Sequence, residues 1–310
     1  MLHAKLSFAQ QLNLSITPPH LEVIIKPGKS VLVAYTVQNL GDPVVIKPRV
    51  LPFVARDTIG GIAIQEEFTG PVRFGLDNSD IQLDQPFFLD SNKSQQLILR
   101  IRLPEGAPEE DYYYTFFVES QPPPSLEGLP SSRTQARIGT NILITVTNTD
   151  ILQAAGKINL FDVLPRFKIG ELKLFDSADK IPVVLLIGNT GKNLLKPSGQ
   201  IVLKGNFGEK ATYNLVPENV LSQSQRVIEA TPSAEVDCEN NRAIYCTKPV
   251  SLIISGFFIG NYKLSVNVNF GEGNQDFFAA TSFIALPIKF LFGVVVVLIA
   301  SIFLIKRFKQ

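Results

Sequence analysis

Tryptophan is absent from this 310-residue chain, methionine occurs once, and histidine and cysteine occur twice each. The missing tryptophan, together with a first half that has no cysteine, excludes the cysteine and tryptophan core pair of antibody domains. Only His3 and His20 could serve as an imidazole base. Neither lies near a strand end with a candidate nucleophile, and no G-x-S-x-G occurs, so a serine-hydrolase triad has no parts. Acidic neighbours such as Glu66-Glu67 and Glu109-Glu110 point to opposite faces on a strand or lie solvated in loops, which argues against a glycosidase pair. No phosphate loop, zinc motif or calcium loop is present, so no catalytic residue, cofactor or metal is expected and the chain reads as a non-enzyme. Blocks of like charge are missing too. Lys plus Arg number 29 against 28 Asp plus Glu, interspersed, for a net charge of +1, which removes nucleic acid as a partner.

The two cysteines, Cys238 and Cys246, are close together in a polar stretch that ends at Pro249. That spacing suits one hairpin-stapling disulfide in an oxidising compartment. Free thiols are the alternative, and a metal site would need more ligands than the distant histidines supply.

What is present is strand periodicity. Residues 20–26 (HLEVIIK) and 30–38 (SVLVAYTVQ) are rich in Val, Ile and Tyr and flank the turn Pro27-Gly28. Val31, Val33, Tyr35 and Val37 alternate with polar or smaller neighbours and are expected to face a core. Residues 44–50, bounded by Pro43 and Pro48, read as an edge strand. Leu97, Leu99, Ile101 and Leu103 alternate with Ile98, Arg100 and Arg102, and an aromatic strand follows at 112–119. Residues 137–147 close this half. The pattern restarts after a short boundary at 148–156, with strands expected at 157–163, 181–187, 199–204, 210–215, 227–231, 250–254, 263–270 and 276–283. A strand followed by Asn39-Leu40-Gly41 and Ile46-Lys47-Pro48 recurs as a strand, Asn189-Thr190-Gly191 and Leu195-Lys196-Pro197, an offset near 150 residues. Common descent of two sandwiches produces such a repeat, and so does turn chemistry alone, because Asn and Gly are the usual turn residues. The fold class is therefore all-β, two immunoglobulin-like antiparallel β-sandwich domains at 15–147 and 157–283.

One segment breaks the pattern. Residues 284–305 (IALPIKFLFGVVVVLIASIFLI) hold one charge, Lys289, and as a helix would span roughly 33 Å, enough for a hydrocarbon core of about 30 Å. A buried core helix would show a polar stripe, and this one has none. Lys289 can snorkel from the upstream end, and Pro287 sits in the first turn. The tail at 306–310, with Lys306, Arg307 and Lys309, assigns the C-terminus to the cytoplasm and the body to the outside. An exported body needs a leader. Residues 1–14 offer a small-x-small cleavage pattern at Ser7-Phe8-Ala9 without an apolar run, and are read as the remnant of a signal peptide whose start lies upstream. The rival is a tail-anchored protein with a cytoplasmic body.

Two stretches are candidate partner-binding surfaces. Pro122-Pro123-Pro124 opens a polar loop at 121–136 that favours an extended, pre-ordered conformation, or else is a solvated hairpin tip. Tyr112, Tyr113 and Tyr114 on one strand must divide between two faces, placing a ring for recognition, or pack in the core.

The opening residues Ile16-Thr17-Pro18-Pro19, Ile25-Lys26-Pro27-Gly28-Lys29-Ser30 and Val37-Gln38-Asn39-Leu40-Gly41 resemble the N-terminal domain of bacterial WxL-interacting cell-surface proteins. Leu103-Pro104-Glu105-Gly106-Ala107-Pro108 with Tyr112-Tyr113, and Arg137-Ile138-Gly139-Thr140-Asn141-Ile142-Leu143, are similar to that domain as well. Leu195-Lys196-Pro197-Ser198-Gly199, Pro217-Glu218-Asn219-Val220-Leu221 with Gln225-Arg226, and Gly260-Asn261-Tyr262 resemble the family's membrane-proximal domain. The resemblance implies two sandwiches, one transmembrane helix and a short basic tail. It also implies peptidoglycan association through the first domain and partner or host binding through the second.

The resulting expectation is a single-pass protein of a bacterial cytoplasmic membrane. Its two domains would bind cell-wall polymer or another surface protein, such as a WxL-domain protein, with the lipid bilayer as the other partner. A structural or accessory subunit of a membrane complex is the alternative, and an enzyme ranks third.

Overall fold

The computed structural model describes residues 11–121, 135–149, 152, 155–165, 167–235, 246–271 and 275–308, with side chains in the last helix to residue 302. Two compact units emerge: Met1–Arg56 with Ile62–Leu152, and Asp57–Gly61 with Gln153–Gln310.

The first unit contains β1 (Leu14–Thr17), β2 (His20–Ile25), β3 (Ser30–Asn39), β4 (Val44–Ala55), β5 (Ile62–Ile64), β6 (Arg73–Leu76), β7 (Phe87–Leu89), β8 (Ser94–Arg102), β9 (Asp111–Gln121) and β10 (Arg137–Val146). One sheet has the order β1-β3-β8-β6. The other runs β2-β10-β9-β4-β5, with β7 also against β4. All pairs are antiparallel except β2 with β10, which is parallel. The alternating positions expected to face inward do so: Tyr35, Val37, Leu97, Leu99 and Ile101 are fully buried. The Tyr35 ring lies 5.1 Å from that of Phe116 in the opposite sheet.

β4 corrects the edge-strand expectation. It pairs with β9 from Val45 to Pro52, and the short β7 and β5 cover parts of its other flank. Pro48 accepts from Asp84 N–H and Pro52 from Gln65 N–H through their carbonyls, both at 2.8 Å. A strand residue directs its N–H and C=O to the same side. Each proline therefore turns its missing donor away from β9, and the ladder loses nothing.

The second unit contains β11 (Gly156–Val163), β12 (Phe167–Ile169), β13 (Leu172–Asp176), β14 (Ile181–Asn189), β15 (Ser198–Gly205), β16 (Lys210–Leu215), β17 (Gln225–Val227), β18 (Ala230–Thr231), β19 (Leu252–Ile254), β20 (Gly260–Asn269), β21 (Phe277–Leu286) and the helix α1 (Ile288–Phe308). Its sheets are β11-β14-β17, with β19 also on β14, and β12-β13-β21-β20-β15-β16-β18. The single strand expected at 227–231 is two. β17 pairs with β14 and β18 with β16, because Ile228 is buried, donates to Leu185 C=O at 3.0 Å and carries the chain from one sheet to the other. The last strand also extends beyond expectation. Ile284, Ala285 and Leu286 pair with β13, so the helix starts at Ile288 rather than at 284, after Pro287 ends the ladder.

The two units share a plan. In the first, β3 pairs with the opening strand β1 and with the later β8; in the second, β14 pairs with the opening strand β11 and with the later β17. The second sheet centres on a hairpin whose last strand takes a parallel partner, β2 on β10 and β13 on β21. The repeated Asn-x-Gly turns are held by the same kinds of bond. Asn39 and Asn189 are 1% and 2% exposed. The side-chain oxygen of Asn39 accepts from Gly41 N–H at 3.0 Å, and that of Asn189 from Gly191 N–H at 2.8 Å. Asn39 Nδ2 donates to the carbonyls of Asp42 (2.8 Å), Leu89 and Asp90 (3.3 Å each), and Asn189 Nδ2 to those of Asn193 (2.8 Å) and Val220 (2.9 Å). Turn chemistry alone explains the first kind of bond. Reaching a carbonyl some 30 or 50 residues away, Val220 from Asn189 or Leu89 from Asn39, is a property of the fold, and both units have it.

Candidate functional site

Several side-chain and backbone bonds converge where α1 leaves the second unit. Asp176, at the end of β13, directs Oδ2 at the backbone N–H of Lys289 (2.9 Å), and its Oδ1 accepts from Ala178 N–H (3.2 Å). Lys289 Nζ lies 2.9 Å from Asp179 Oδ1 and 3.5 Å from Asp176 Oδ1. Ser177 N–H donates to Leu286 C=O at 3.0 Å, and Phe258 N–H to Ser177 C=O at 2.9 Å. Asp176 thus caps the helix from 113 residues away, satisfying a first-turn N–H and placing negative charge at the positive end of the helix. The Lys289 N–H bond, then the Ala178 N–H and the Lys289 ammonium, hold the Asp176 carboxyl below the usual carboxylate range. A group with a depressed folded pKa stabilises above its unfolded pKa and loses that contribution as pH falls through the folded value. The melting temperature of the parent is therefore expected to exceed that of Asp176→Asn by a constant margin near neutrality, a margin that closes below about pH 4. A margin independent of pH down to the acid transition would refute a charged cap.

Beneath this junction a second knot joins three strands. Lys173 on β13 bonds the carboxylate of Asp162 on β11 and the hydroxyl of Thr281 on β21, and Thr281 donates to Asp162 at 2.8 Å. Burial alone would raise the Asp162 pKa, but the Lys173, Thr281 and Val163 N–H bonds outweigh it and the carboxyl lies low. Nearby, a recess of about 200 Å³ is walled by Leu203, Ala211, Tyr213, Phe258 and Tyr262, with Glu209 and Lys210 also lining it.

The other residues singled out from sequence fall as follows. Tyr114 is buried, its hydroxyl donating to Thr69 C=O at 3.0 Å and its ring 4.8 Å from Phe74 and 5.5 Å from Phe68. Tyr112 and Tyr113 are half-buried, with hydroxyls on Glu110 Oε1 and Asp111 Oδ2, each at 3.0 Å. Burial pushes the phenols of Tyr112 and Tyr114 upward, and the Glu110 carboxylate adds to this at Tyr112. Cys246 is held in a disulfide; Cys238, the chain's only other cysteine, lies outside the described residues. Pro122, Pro123 and Pro124, Ser7 to Ala9, and Lys309 also lie outside them, and of Lys306 and Arg307 only the helical backbone is described. Among the described residues no cluster of acidic, His or Cys side chains could hold a metal ion, and no helix is long and apolar enough to cross a membrane.

Sequence reasoning missed Asp176 and Asp179. A cap supplied by a distant strand leaves no local signature, since the helix has no acidic residue in its own first turn.

No family model matches the chain, and no curated protein matches it. Among solved structures, the class 5 fimbrial chaperone CfaA aligns over 88% of this chain and 100% of its own at 12% identity, with a TM-score of 0.37. The E. coli chaperone DraB aligns over 86% and 98% at 13% identity and a TM-score of 0.37. A PapD-like domain of human CEP192 aligns over 48% of this chain and 99% of its own at 16% identity and a TM-score of 0.30.

Proposed function

We propose that this chain is a single-pass membrane protein that displays two β-sandwich units outside a bacterial cytoplasmic membrane, where they bind cell-wall polymer or another surface protein. The observation that carries this reading is the environment of α1. Phe290, Leu291, Phe292, Val294 to Ile299 and Ile302 are all exposed, and these positions cover every face of the helix. A helix packed on its own protein buries one apolar stripe, whereas the described side chains of this one, to residue 302, bury none and call for an apolar solvent. Within the described residues α1 falls short of a membrane-crossing helix, but the apolar sequence continues to Ile305 before Lys306, Arg307 and Lys309 close it, which favours a full span with a cytoplasmic C-terminus. The disulfide at Cys246 agrees with an oxidising compartment for the body. Resemblance to WxL-interacting proteins supports peptidoglycan or a WxL-domain protein as the bound partner.

Expressed from its own locus, the full chain should sediment with membranes through an alkaline carbonate wash. External protease should remove the body, and a chain ending at Leu286 should appear in the soluble fraction. A full chain that is soluble, or a body shielded from external protease, would refute the reading. For the binding half, the full chain is tested for retention by purified peptidoglycan and by a secreted WxL-domain protein, and retention by neither removes that half.

A further inference from the structure

Strand register brings two more segments to the end of the second unit from which α1 leaves. Only Pro287 separates β21 from the helix. Gly260, the first residue of β20, pairs with Ala285, so the loop from Ser255 to Ile259 lies at that end. Gly205, the last of β15, pairs with Tyr262, which faces Phe283, so the β15–β16 turn lies there as well. A side chain built at Gly260 would meet Phe207 at 3.9 Å.

These segments display large apolar side chains. Phe207 is 77% exposed and Phe257 69%, and Ile259 is exposed beside them. An aromatic residue in the turn Gly205-Asn206-Phe207-Gly208 contradicts ordinary turn chemistry. The turn is nevertheless firmly built: the Glu209 carboxylate accepts from Phe207 N–H at 2.9 Å and from Tyr262 Oη–H at 3.1 Å, and Gly205 N–H donates to Glu209 C=O at 2.9 Å. The loop is tied as well, through Phe258 N–H to Ser177 and from there to Leu286.

Behind the apolar tips runs a row of cations. Lys204 pairs directly with Lys210 on one side and Lys263 on the other, so all three share a face, and all are exposed. Like charges directly opposed across strands destabilise a sheet in water. The row lies three residues from Gly260, about 10 Å behind the end.

We propose that this end of the second unit seats in the interface of the bilayer that receives α1. Phe207, Phe257 and Ile259 enter the boundary between headgroups and acyl chains, and Lys204, Lys210 and Lys263 meet anionic lipid phosphates. Apolar tips backed by lysines at this depth match how interfacial segments sit in anionic membranes. With one residue between sheet and helix, the sheet end cannot stand off from the surface the helix enters. The proposal rests on the anchoring reading above.

The absence of tryptophan makes the test direct. Single variants Phe207→Trp, Phe257→Trp, Phe278→Trp and Phe292→Trp of the full chain are reconstituted in vesicles of phosphatidylcholine and phosphatidylglycerol with brominated acyl chains. Phe278 is exposed at the far end of β21, and Phe292 lies in α1. Fluorescence should fall about twofold or more at positions 207, 257 and 292 and stay unchanged at 278. Quenching at 292 with 207 and 257 as bright as 278 would overturn this inference and leave the anchor standing. No quenching at 292 would overturn the anchor and the inference together. Combining Lys204→Gln, Lys210→Gln and Lys263→Gln should weaken quenching at 257 and leave 292 unchanged; no effect at 257 would overturn the role given to the lysines.

Discussion

Replacing Asn39 with alanine is expected to destabilise the first unit by about 2–4 kcal/mol, and Asn189→Ala to do the same to the second, because each removes an enclosed amide that bonds several backbone groups at once. At Asn39 these are Gly41 N–H and the carbonyls of Asp42, Leu89 and Asp90; at Asn189 they are Gly191 N–H and the carbonyls of Asn193 and Val220. Water cannot easily replace the lost amide, since both side chains are almost fully enclosed. The aspartate variants separate the two halves of the interaction. Asp keeps an oxygen for the glycine N–H but turns an acceptor toward carbonyl oxygens. Asn39→Asp and Asn189→Asp should therefore cost at least as much as alanine. If the residue served only the local turn, Asp would be nearly neutral. Denaturant unfolding of the full chain, followed by hydrogen exchange in β3 and β14, assigns each loss to its unit. Aspartate variants as stable as the parent would remove the cross-strand role.

That pair also marks how far the sequence could be read. The offset near 150 residues between the two Asn-x-Gly turns was visible, but not its meaning, because an Asn-x-Gly turn forms wherever the backbone needs one. Strands with clean alternation, such as Ser30–Asn39, Ser94–Arg102 and Gly260–Asn269, were legible because one face is buried and the other wet. Short strands were not. Phe87–Leu89, Phe167–Ile169 and Gln225–Val227 have three residues each, too few to set a period, and their pairing is decided by neighbours distant in sequence. The prolines of β4 misled for a related reason: a missing N–H rules out only one flank, and which flank it faces depends on register. At the candidate site, the apolar run of the helix and its basic end were plain in the sequence. Its cap was not, since Asp176 reaches the helix only through the parallel pairing of β13 with β21. The alternation of a strand divides the tyrosine triplet between two faces but does not fix how deeply each ring sits: Tyr114 is buried, and Tyr112 and Tyr113 are half-buried. Side-chain acceptors one or two residues away, and Thr69 from another loop, decided the rest.

The largest single-residue effect is expected at Phe283, where truncation to alanine should cost the second unit about 3–5 kcal/mol, the range for an aromatic removed from a packed core. Phe283 is 1% exposed. Its ring lies 5.3 Å from Tyr262 in a stacked pair, 5.4 Å from Phe175 and 6.1 Å from Phe258, both edge-on. Each of those neighbours leads into the helix junction. Phe175 precedes the capping Asp176, Phe258 donates to Ser177, and Tyr262 bonds the Glu209 that holds the β15–β16 turn. Phe283→Ala should therefore do more than lower global stability. The amides of Ser177, Phe207 and Phe258 should exchange faster than those of β14 in the other sheet, because the support under the junction is lost first. Phe278→Ala is the matched control, five residues earlier on the same strand, where the ring is exposed and its loss should stay within about 0.5 kcal/mol. Equal effects at the two positions would mean that the cluster is not what holds the helix end of the sandwich. A global loss at Phe283 with no extra exchange at Ser177, Phe207 and Phe258 would mean that the junction is held by Asp176 and its hydrogen bonds alone.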